Sequence, residues 1–181
     1  MIDFCIGIML FALSSVSAVE CMVVGVVDGD TVVLRNESIV FTMDLAYVDA
    51  PELGPSPVSP CQPLAKEAKR YLEQVLMGKK VRVIVRGRTA AGRPAAELFL
   101  SGTNVNLQLV KAGLGEVYVG ALPRDSSLEP YFRNQQEARS AQRGIWGLGK
   151  ARICPRKWRE RCKERSAFAA FLYILVSQPR R

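Results

Sequence analysis

Three acidic side chains stand near the ends of predicted strands in the N-terminal half of this chain. Asp30 follows the tight turn Asp28-Gly29, and Asp49 and Glu52 flank Ala50-Pro51. Because a proline bends the chain and restricts the residue before it, both flanking carboxylates are expected on one side of the bend. Oxygen-only ligands suit a hard cation such as calcium. Two carboxylates could hold the metal while the third activates a water.

The spacing of these acids also has a plainer interpretation. If the second and third strands pair, Asp30 can face Asp49 across the sheet, as a metal site would require. Aspartate is, however, common in turns for purely local reasons. Spacing alone therefore leaves a metal site and simple turn acids both open.

The chain contains no histidine among its 181 residues. This absence excludes Ser-His-Asp and Cys-His nucleophiles, histidine general bases and histidine-ligated zinc. Any hydrolytic chemistry must therefore use carboxylates, lysine, arginine or a metal held by oxygen.

The net charge of +8 comes entirely from the C-terminal part of the chain. Residues 1–149 carry 15 basic and 15 acidic side chains, whereas residues 150–181 carry 10 basic and 2 acidic ones. A basic tail on a neutral domain favours a polyanionic partner, either nucleic acid or an anionic membrane, although a simply solvated tail would have the same composition. The apolar run 167–176 is too short to span a membrane and is expected to pack on the domain or a partner.

Residues 1–18 are expected to be a cleaved export signal, because an apolar run ends in the small-residue sequence Val16-Ser17-Ala18. The protein is then secreted or periplasmic. Four cysteines remain after cleavage, and pairings of Cys154 with Cys162 and of Cys21 with Cys61 are the disulfides considered.

Five short strands and three helices must position the candidate residues. A hairpin is predicted over 21–34 around the Asp-Gly turn, with further strands over 39–48, 81–85 and 95–100. Helices are predicted over 63–77, 104–112 and 126–142, each followed by a glycine at or near its end. This pattern indicates an α+β domain over 19–149, built as a small closed barrel with helices packed on it.

Five segments of the chain resemble the staphylococcal nuclease family in order and spacing. They are VVDGDTVVL (26–34), LAYVDAPE (45–52), AGRPAAELFL (91–100), NVNLQLVKAGLGEV (104–117) and ARSAQRGIWG (138–147). The resemblance implies a five-stranded OB-fold barrel with three helices, and calcium-dependent cleavage of DNA and RNA.

The resemblance also implies roles for individual residues. Asp30 and Asp49 match the carboxylates that bind calcium, and Ala50 would add its backbone carbonyl. Glu52 matches the general base, and Arg93 matches an arginine that holds the scissile phosphate. Asp28 would be an outer acid that supports the metal ligands. No organic cofactor is implied, and the protein is expected to be a monomer.

Two departures from the family pattern bear on activity. The family has an arginine five residues before the second metal aspartate, where this chain has Asp44. An acid there would repel a phosphate or join the metal site, and Arg35, Arg86 or Arg88 could replace the lost arginine. The tyrosine expected before the Gly-Arg pair is Ala91, and Tyr118 is displaced by one position, so that base stacking would be weaker or different.

The sequence therefore predicts a calcium-dependent nuclease, with Glu52 as general base and Arg93 as phosphate ligand. The alternative is an impaired nuclease that serves as a nucleic-acid-binding module, which the acid at position 44 favours. A contact of residues 150–181 with an anionic membrane is a third hypothesis.

Overall fold

The computed structural model describes residues 18–54, 61–125 and 128–162. Within them a single sheet curls into a barrel and closes through a parallel pairing of β3 with β6. The strands are β1 (Val19–Val26), β2 (Thr31–Asn36), β3 (Ile39–Leu45), β4 (Val48–Asp49), β5 (Lys80–Arg88), β6 (Pro94–Leu100), β7 (Thr103–Asn104) and β8 (Glu116–Val117). The expected five-stranded OB-fold barrel is confirmed, with β1, β2, β3, β5 and β6 as its wall.

The predicted hairpin is present, and its turn carries the first candidate acid. Strands β1 and β2 pair antiparallel on either side of residues 27–30, and the Val27 N–H donates to the Thr31 carbonyl at 2.8 Å. Alternation of buried and exposed residues along β2 places Val32 and Leu34 in the barrel interior. The turn is thereby fixed at one end of the barrel.

Helix bounds follow the expected signals closely. The helices are α1 (Ala65–Leu76), α2 (Val105–Lys111), α3 (Glu129–Ser140) and α4 (155–162), with a 3₁₀ helix at Gly144–Ala151. Gly78, with a φ of 71°, lies two residues beyond α1. The Asn104 side chain caps α2 by accepting the Leu107 N–H at 3.1 Å. Helix α4 was not predicted from the sequence.

One predicted strand is divided in the structure. The run 39–48 ends as β3 at Leu45, and Tyr47, with a φ of 65°, turns the chain before β4 begins. Strand β4 then pairs with β8 instead of continuing the barrel wall. The second candidate aspartate therefore lies on a separate two-stranded unit.

Several sequence-based expectations concern residues that the structure does not describe. The export signal, apart from Ala18, and the apolar run 167–176 lie outside the described residues, as does most of the Pro/Ser-rich loop 53–60. Of the described helices, none has the length and apolar character needed to cross a membrane.

Neither considered disulfide is formed, since Cys21, Cys61 and Cys154 carry free thiols. Helix geometry explains the outcome at the C-terminal pair. Cys154 immediately precedes α4 and Cys162 is its last described residue. At about 1.5 Å of rise per residue, their Cα atoms lie roughly 12 Å apart, well beyond disulfide reach.

A buried carboxylate anchors α3 to the barrel. Glu97 on β6 accepts the Tyr131 hydroxyl at 2.7 Å and the Asn104 amide at 2.8 Å, and it forms an ion pair with Arg86. Burial, followed by the charge of Glu97, raises the pKa of the Tyr131 hydroxyl, which therefore remains a donor at all physiological pH values.

Tyr131→Phe is expected to lower the free energy of unfolding by about 1.5–3 kcal/mol, the range for a hydrogen bond to a charged group. The ring would keep its packing while Glu97 loses one of its donors. Urea denaturation followed by circular dichroism measures the change, with Tyr118→Phe at an exposed tyrosine as the control. Equal stability of the two variants would contradict this account of Glu97.

Candidate active site

A cleft of about 680 Å³ opens at the end of the barrel where β3, β4 and the β1–β2 turn meet. The predicted site side chains of Asp30, Asp49, Glu52 and Arg93 line it, together with two arginines of α4, whereas Ala50 is not part of its wall. The charged side chains on its wall are Asp28, Asp30, Asp44, Asp49, Glu52, Arg93, Arg156 and Arg159. The fold thus brings together residues that lie far apart in the sequence.

Asp30 is held by one hydrogen bond through its backbone and one through its side chain. The Asp28 carboxylate accepts the Asp30 N–H at 3.0 Å, and the Asp30 carboxylate accepts the Ala50 N–H at 2.7 Å. A Cβ at Gly29 would come within 2.7 Å of the Ala50 Cβ and 2.8 Å of the Ala68 Cβ. Only glycine therefore allows the turn to lie this close to Ala50.

The route by which Asp30 meets Asp49 differs from the expectation. Strands β2 and β3 do pair, but their register places Thr31 opposite Asp44, and Leu45 donates its N–H to the Asp30 carbonyl. Asp49 does not face Asp30 across that sheet, because the chain turns at Tyr47 and returns as β4. The two acids meet instead through the contact of Asp30 with Ala50, the residue after Asp49.

Asp30 carries an unfavourable negative charge in this setting. Burial raises the pKa of its carboxyl well above the usual value, and the charges of Asp28 and Asp49 raise it further. The Ala50 N–H opposes this rise only in part. Such a site is stabilised by a cation beside the carboxylates.

Glu52 is fixed through its backbone by the residue that enters α1. The Glu52 N–H donates to the Gln62 side-chain oxygen at 3.0 Å, and the Gln62 N–H donates to the Glu52 carbonyl at 2.9 Å. Burial raises the pKa of the Glu52 carboxyl, while the hydrogen bond from Arg159 lowers it in opposition. A carboxylate with a raised pKa is better suited to accept a proton near neutral pH.

Asp44 does not stand in the cleft as an isolated acid. The Arg93 Nε donates to both of its carboxylate oxygens, at 2.9 and 3.0 Å, and the Thr31 hydroxyl donates at 3.3 Å. This hydrogen bonding to the Asp44 carboxylate raises the pKa of Arg93. The expected repulsion of a phosphate by Asp44 is therefore offset by a paired guanidinium, whose side chain is 55% exposed.

The arginines expected to replace the missing guanidinium do not line the cleft. Arg86 is paired with Glu97, and Arg88 donates to the Gly92 carbonyl at 2.8 Å. Arg35 lies on β2 outside the cleft wall.

Arg159 of α4 enters the cleft instead. Its Nη1 lies 2.7 Å from Asp49 Oδ1 and also donates to Glu52, and its Nη2 lies 3.1 Å from Asp49 Oδ2. Sequence reasoning missed this residue. The cluster of basic residues at 150–165 was the only signal, and nothing in it distinguishes Arg159 from its neighbours.

The donor set fits a hard divalent cation. Asp30, Asp49 and the Ala50 carbonyl offer oxygen atoms only. Burial, followed by the charges of Asp28 and Asp49, raises the pKa of Asp30, and a nearby cation would relieve this cost. A guanidinium on Asp49 shows that this position accepts a cation. In the described part of the chain, no group of three or more Asp, Glu, Cys or His side chains is arranged so that it could hold a metal ion, and the candidate ligands here include only two carboxylates, Asp30 and Asp49.

The residues considered for base stacking also lie at the cleft. Ala91 and Tyr118 both line it, and the Tyr118 ring is among the exposed large side chains. The Tyr118 ring is therefore exposed beside the charged groups, whereas the Tyr47 ring, which also lines the cleft, is buried.

Comparison with known proteins places this geometry in a family. Residues 42–147 match the family model described as "Staphylococcal nuclease homologue". An "Uncharacterized endonuclease" of Haemophilus influenzae is 30% identical over 152 residues, covering 82% of this chain and 77% of that protein.

Two further relatives are longer than the part that this chain matches. The "SPbeta prophage-derived endonuclease YokF" of Bacillus subtilis is 32% identical over 66% of this chain and 41% of its own length. The "Probable endonuclease LCL3" of Eremothecium gossypii is 32% identical over 63% of this chain and 43% of its own length. From the family model, its relatives and the barrel, the chain belongs to the staphylococcal nuclease family.

Proposed function

We propose that this protein is a calcium-dependent nuclease that hydrolyses phosphodiester bonds in DNA, RNA or both. The observation that carries the proposal is the convergence of Asp30, Asp49, Glu52 and Arg93 on one cleft. A protein that only binds nucleic acid has no need for several clustered acids, which repel the phosphate backbone. The endonuclease names of its relatives support the same conclusion.

Asp30, Asp49 and the Ala50 carbonyl would hold the ion. When bound, calcium polarises a phosphoryl oxygen and the attacking water. Glu52 takes a proton from that water as its oxygen bonds to phosphorus, and the bond from phosphorus to the leaving oxygen breaks. The leaving oxygen is protonated from solvent. The Nη groups of Arg93, whose Nε is bound to Asp44, donate to the phosphate oxygens as charge develops.

The second candidate function is a binding module derived from a nuclease, and the acid at position 44 is the feature that favours it. The test compares the nuclease activity of wild type with that of the Asp44→Arg variant. A folded wild type that does not cleave, together with an Asp44→Arg variant that does, would identify a disabled nuclease whose role is binding.

Metal removal tests the proposed function directly. Wild type is expected to cleave labelled single-stranded DNA, duplex DNA and RNA with calcium, and to stop when a chelator is added. Asp30→Asn keeps an oxygen to accept the Ala50 N–H but removes the charge. It should raise the calcium concentration for half-maximal activity by at least about tenfold, since even outer-shell changes cost about 10–100-fold in metal affinity.

Glu160→Gln, at an exposed acid of α4, is the matched control for Asp30→Asn. It removes a carboxylate that does not belong to the cleft wall, and it should leave the calcium dependence of cleavage unchanged. Cleavage that persists in chelator would overturn the metal mechanism, and no cleavage by wild type or Asp44→Arg would overturn the nuclease itself.

We also propose that the protein acts outside the cytoplasm, on the basis of the apolar leader in residues 1–18. Detection of the mature N-terminus by mass spectrometry of the expressed protein tests this proposal. An intact Met1 in the exported fraction, or absence of an exported fraction, would contradict it.

A further inference from the structure

We propose that Arg159, supplied by helix α4, is a catalytic phosphate-binding residue that replaces the family arginine lost at position 44. This inference rests on the proposed nuclease function. Arg159 lies outside the segment that matches the family model, which ends at residue 147.

The charge of the cleft wall gives the first argument. Among the described residues, five carboxylates and three arginines line the cleft. Two of the three arginines, Arg156 and Arg159, belong to α4. Without α4, five carboxylates would face one arginine, Arg93, and that arginine is already paired with Asp44. Such a surface would mainly repel an approaching phosphodiester. The two arginines of α4 reduce the net negative charge of the cleft, which makes it more favourable for an anionic substrate.

The position of the Arg159 guanidinium gives the second argument. It contacts Asp49, a proposed metal ligand, and Glu52, the proposed base. A phosphate activated between metal and base must lie beside both of these groups. A guanidinium that touches both is therefore within reach of its oxygens, whereas Arg35, Arg86 and Arg88 are not on the cleft wall.

Arg159 also keeps donors for a substrate. A guanidinium has five N–H groups, and the hydrogen bonds to Asp49 and Glu52 use three of them. The side chain is 38% exposed, so that the remaining Nε–H and Nη2–H can meet a ligand. An arginine guanidinium stays charged in proteins, so that these free N–H groups belong to a cation.

Helix α4 is attached to the domain by contacts that precede Arg159. The Gln62 amide donates to the Ile153 carbonyl at 2.6 Å, and Gln62 is also the residue that holds the Glu52 backbone. Arg152 forms an ion pair with Glu116 and lies 4.1 Å from the centre of the Trp146 ring. These contacts hold the start of α4 against the site. They therefore help to position the Arg159 side chain before substrate binds, as electrostatic catalysis requires.

The test compares Arg159→Ala and Arg159→Lys with Arg161→Ala, a control at an exposed arginine of the same helix that does not line the cleft. With calcium saturating, Arg159→Ala should lower kcat by about 10²–10³, as loss of one preorganised donor does. The kcat of Arg159→Lys should lie between those of wild type and Arg159→Ala, because lysine keeps the positive charge but lacks the planar guanidinium. Arg161→Ala should match wild type.

A binding measurement provides a readout that does not depend on turnover. In the Glu52→Gln background, anisotropy of fluorescein-labelled single-stranded DNA is measured with calcium present. Adding Arg159→Ala should weaken binding and reduce its dependence on salt, whereas adding Arg161→Ala should change it much less. Circular dichroism establishes that each variant is folded.

Three outcomes would overturn the inference while leaving the nuclease in place. They are equal kcat for Arg159→Ala and Arg161→Ala, unchanged binding in the Arg159→Ala variant, and faster cleavage at lower calcium when Arg159 is removed. The last outcome would mean that Arg159 blocks the metal site. If wild type itself does not cleave, the proposed function fails separately, and the binding comparison still decides whether Arg159 contacts phosphate.

Discussion

Glu52→Gln is expected to lower kcat by about 10²–10⁴, the usual contribution of a general base, with little change in calcium affinity. The amide has nearly the shape of the carboxylate but cannot accept the proton of the attacking water. The Glu52 backbone is held by Gln62 through two hydrogen bonds that the substitution does not touch. The loss should therefore reflect chemistry and not local unfolding.

The kinetic measurement for Glu52→Gln is single-turnover cleavage of a short labelled oligonucleotide at saturating calcium. Glu160→Gln removes a carboxylate from the exposed face of α4 and serves as the control. A Glu52→Gln variant that cleaves at the wild-type rate would show that another group activates the water. In that event the proposed roles of Asp30 and Asp49 would still be tested by the calcium titration.

Asn106→Leu should cause the largest loss of stability of any change considered. The fully buried Asn106 side chain accepts the Leu98 N–H at 3.1 Å and donates to the carbonyls of Ala46 and Ala96 at 3.0 and 2.9 Å. It thereby ties α2 to the place where β3 and β6 close the barrel.

Leucine has the same branching and the same number of side-chain heavy atoms as asparagine, but it leaves the Leu98 N–H and the Ala46 carbonyl without that partner. Each buried group left unsatisfied costs about 1–3 kcal/mol, so that the expected loss is about 2–6 kcal/mol. Since a domain of this kind has about 5–15 kcal/mol of total stability, the substitution removes a large share of it.

Urea denaturation followed by circular dichroism measures the effect of Asn106→Leu. Asn134→Leu is the matched control, because the partly exposed Asn134 amide donates to the Pro130 carbonyl one turn earlier on α3 and joins no other element among the described residues. Equal midpoints for the two variants would show that the barrel closure does not depend on Asn106.

Local patterns in the sequence predicted most of the elements. The Asp-Gly turn predicted the β1–β2 hairpin, and proline, glycine and helical spacing predicted α1 to within about two residues at its start. These signals act between neighbours in the chain, which explains their success. The pattern of five short strands and three helices predicted a small closed barrel, and the family resemblance identified it as an OB fold, since a strand count does not by itself determine which strands close the barrel.

The charge pairing in the cleft could not be predicted in the same way. Arg159 meets Asp49 across 110 positions of sequence, and Arg93 meets Asp44 across 49. The three-dimensional register of β3 beside β6 and the docking of α4 determine both contacts. A sequence alone shows that an arginine is missing at position 44, but not which distant arginine lies near its place.

The distance in sequence between Asp49 and Arg159 also determines the order in which the site is made. At about 5–20 residues per second, the ribosome adds the arginine roughly 5–20 s after the aspartate. The barrel residues are thus complete before Arg156 and Arg159 exist. A nascent or C-terminally clipped chain would carry a strongly acidic cleft that disfavours polynucleotides, including the messenger from which it is being translated.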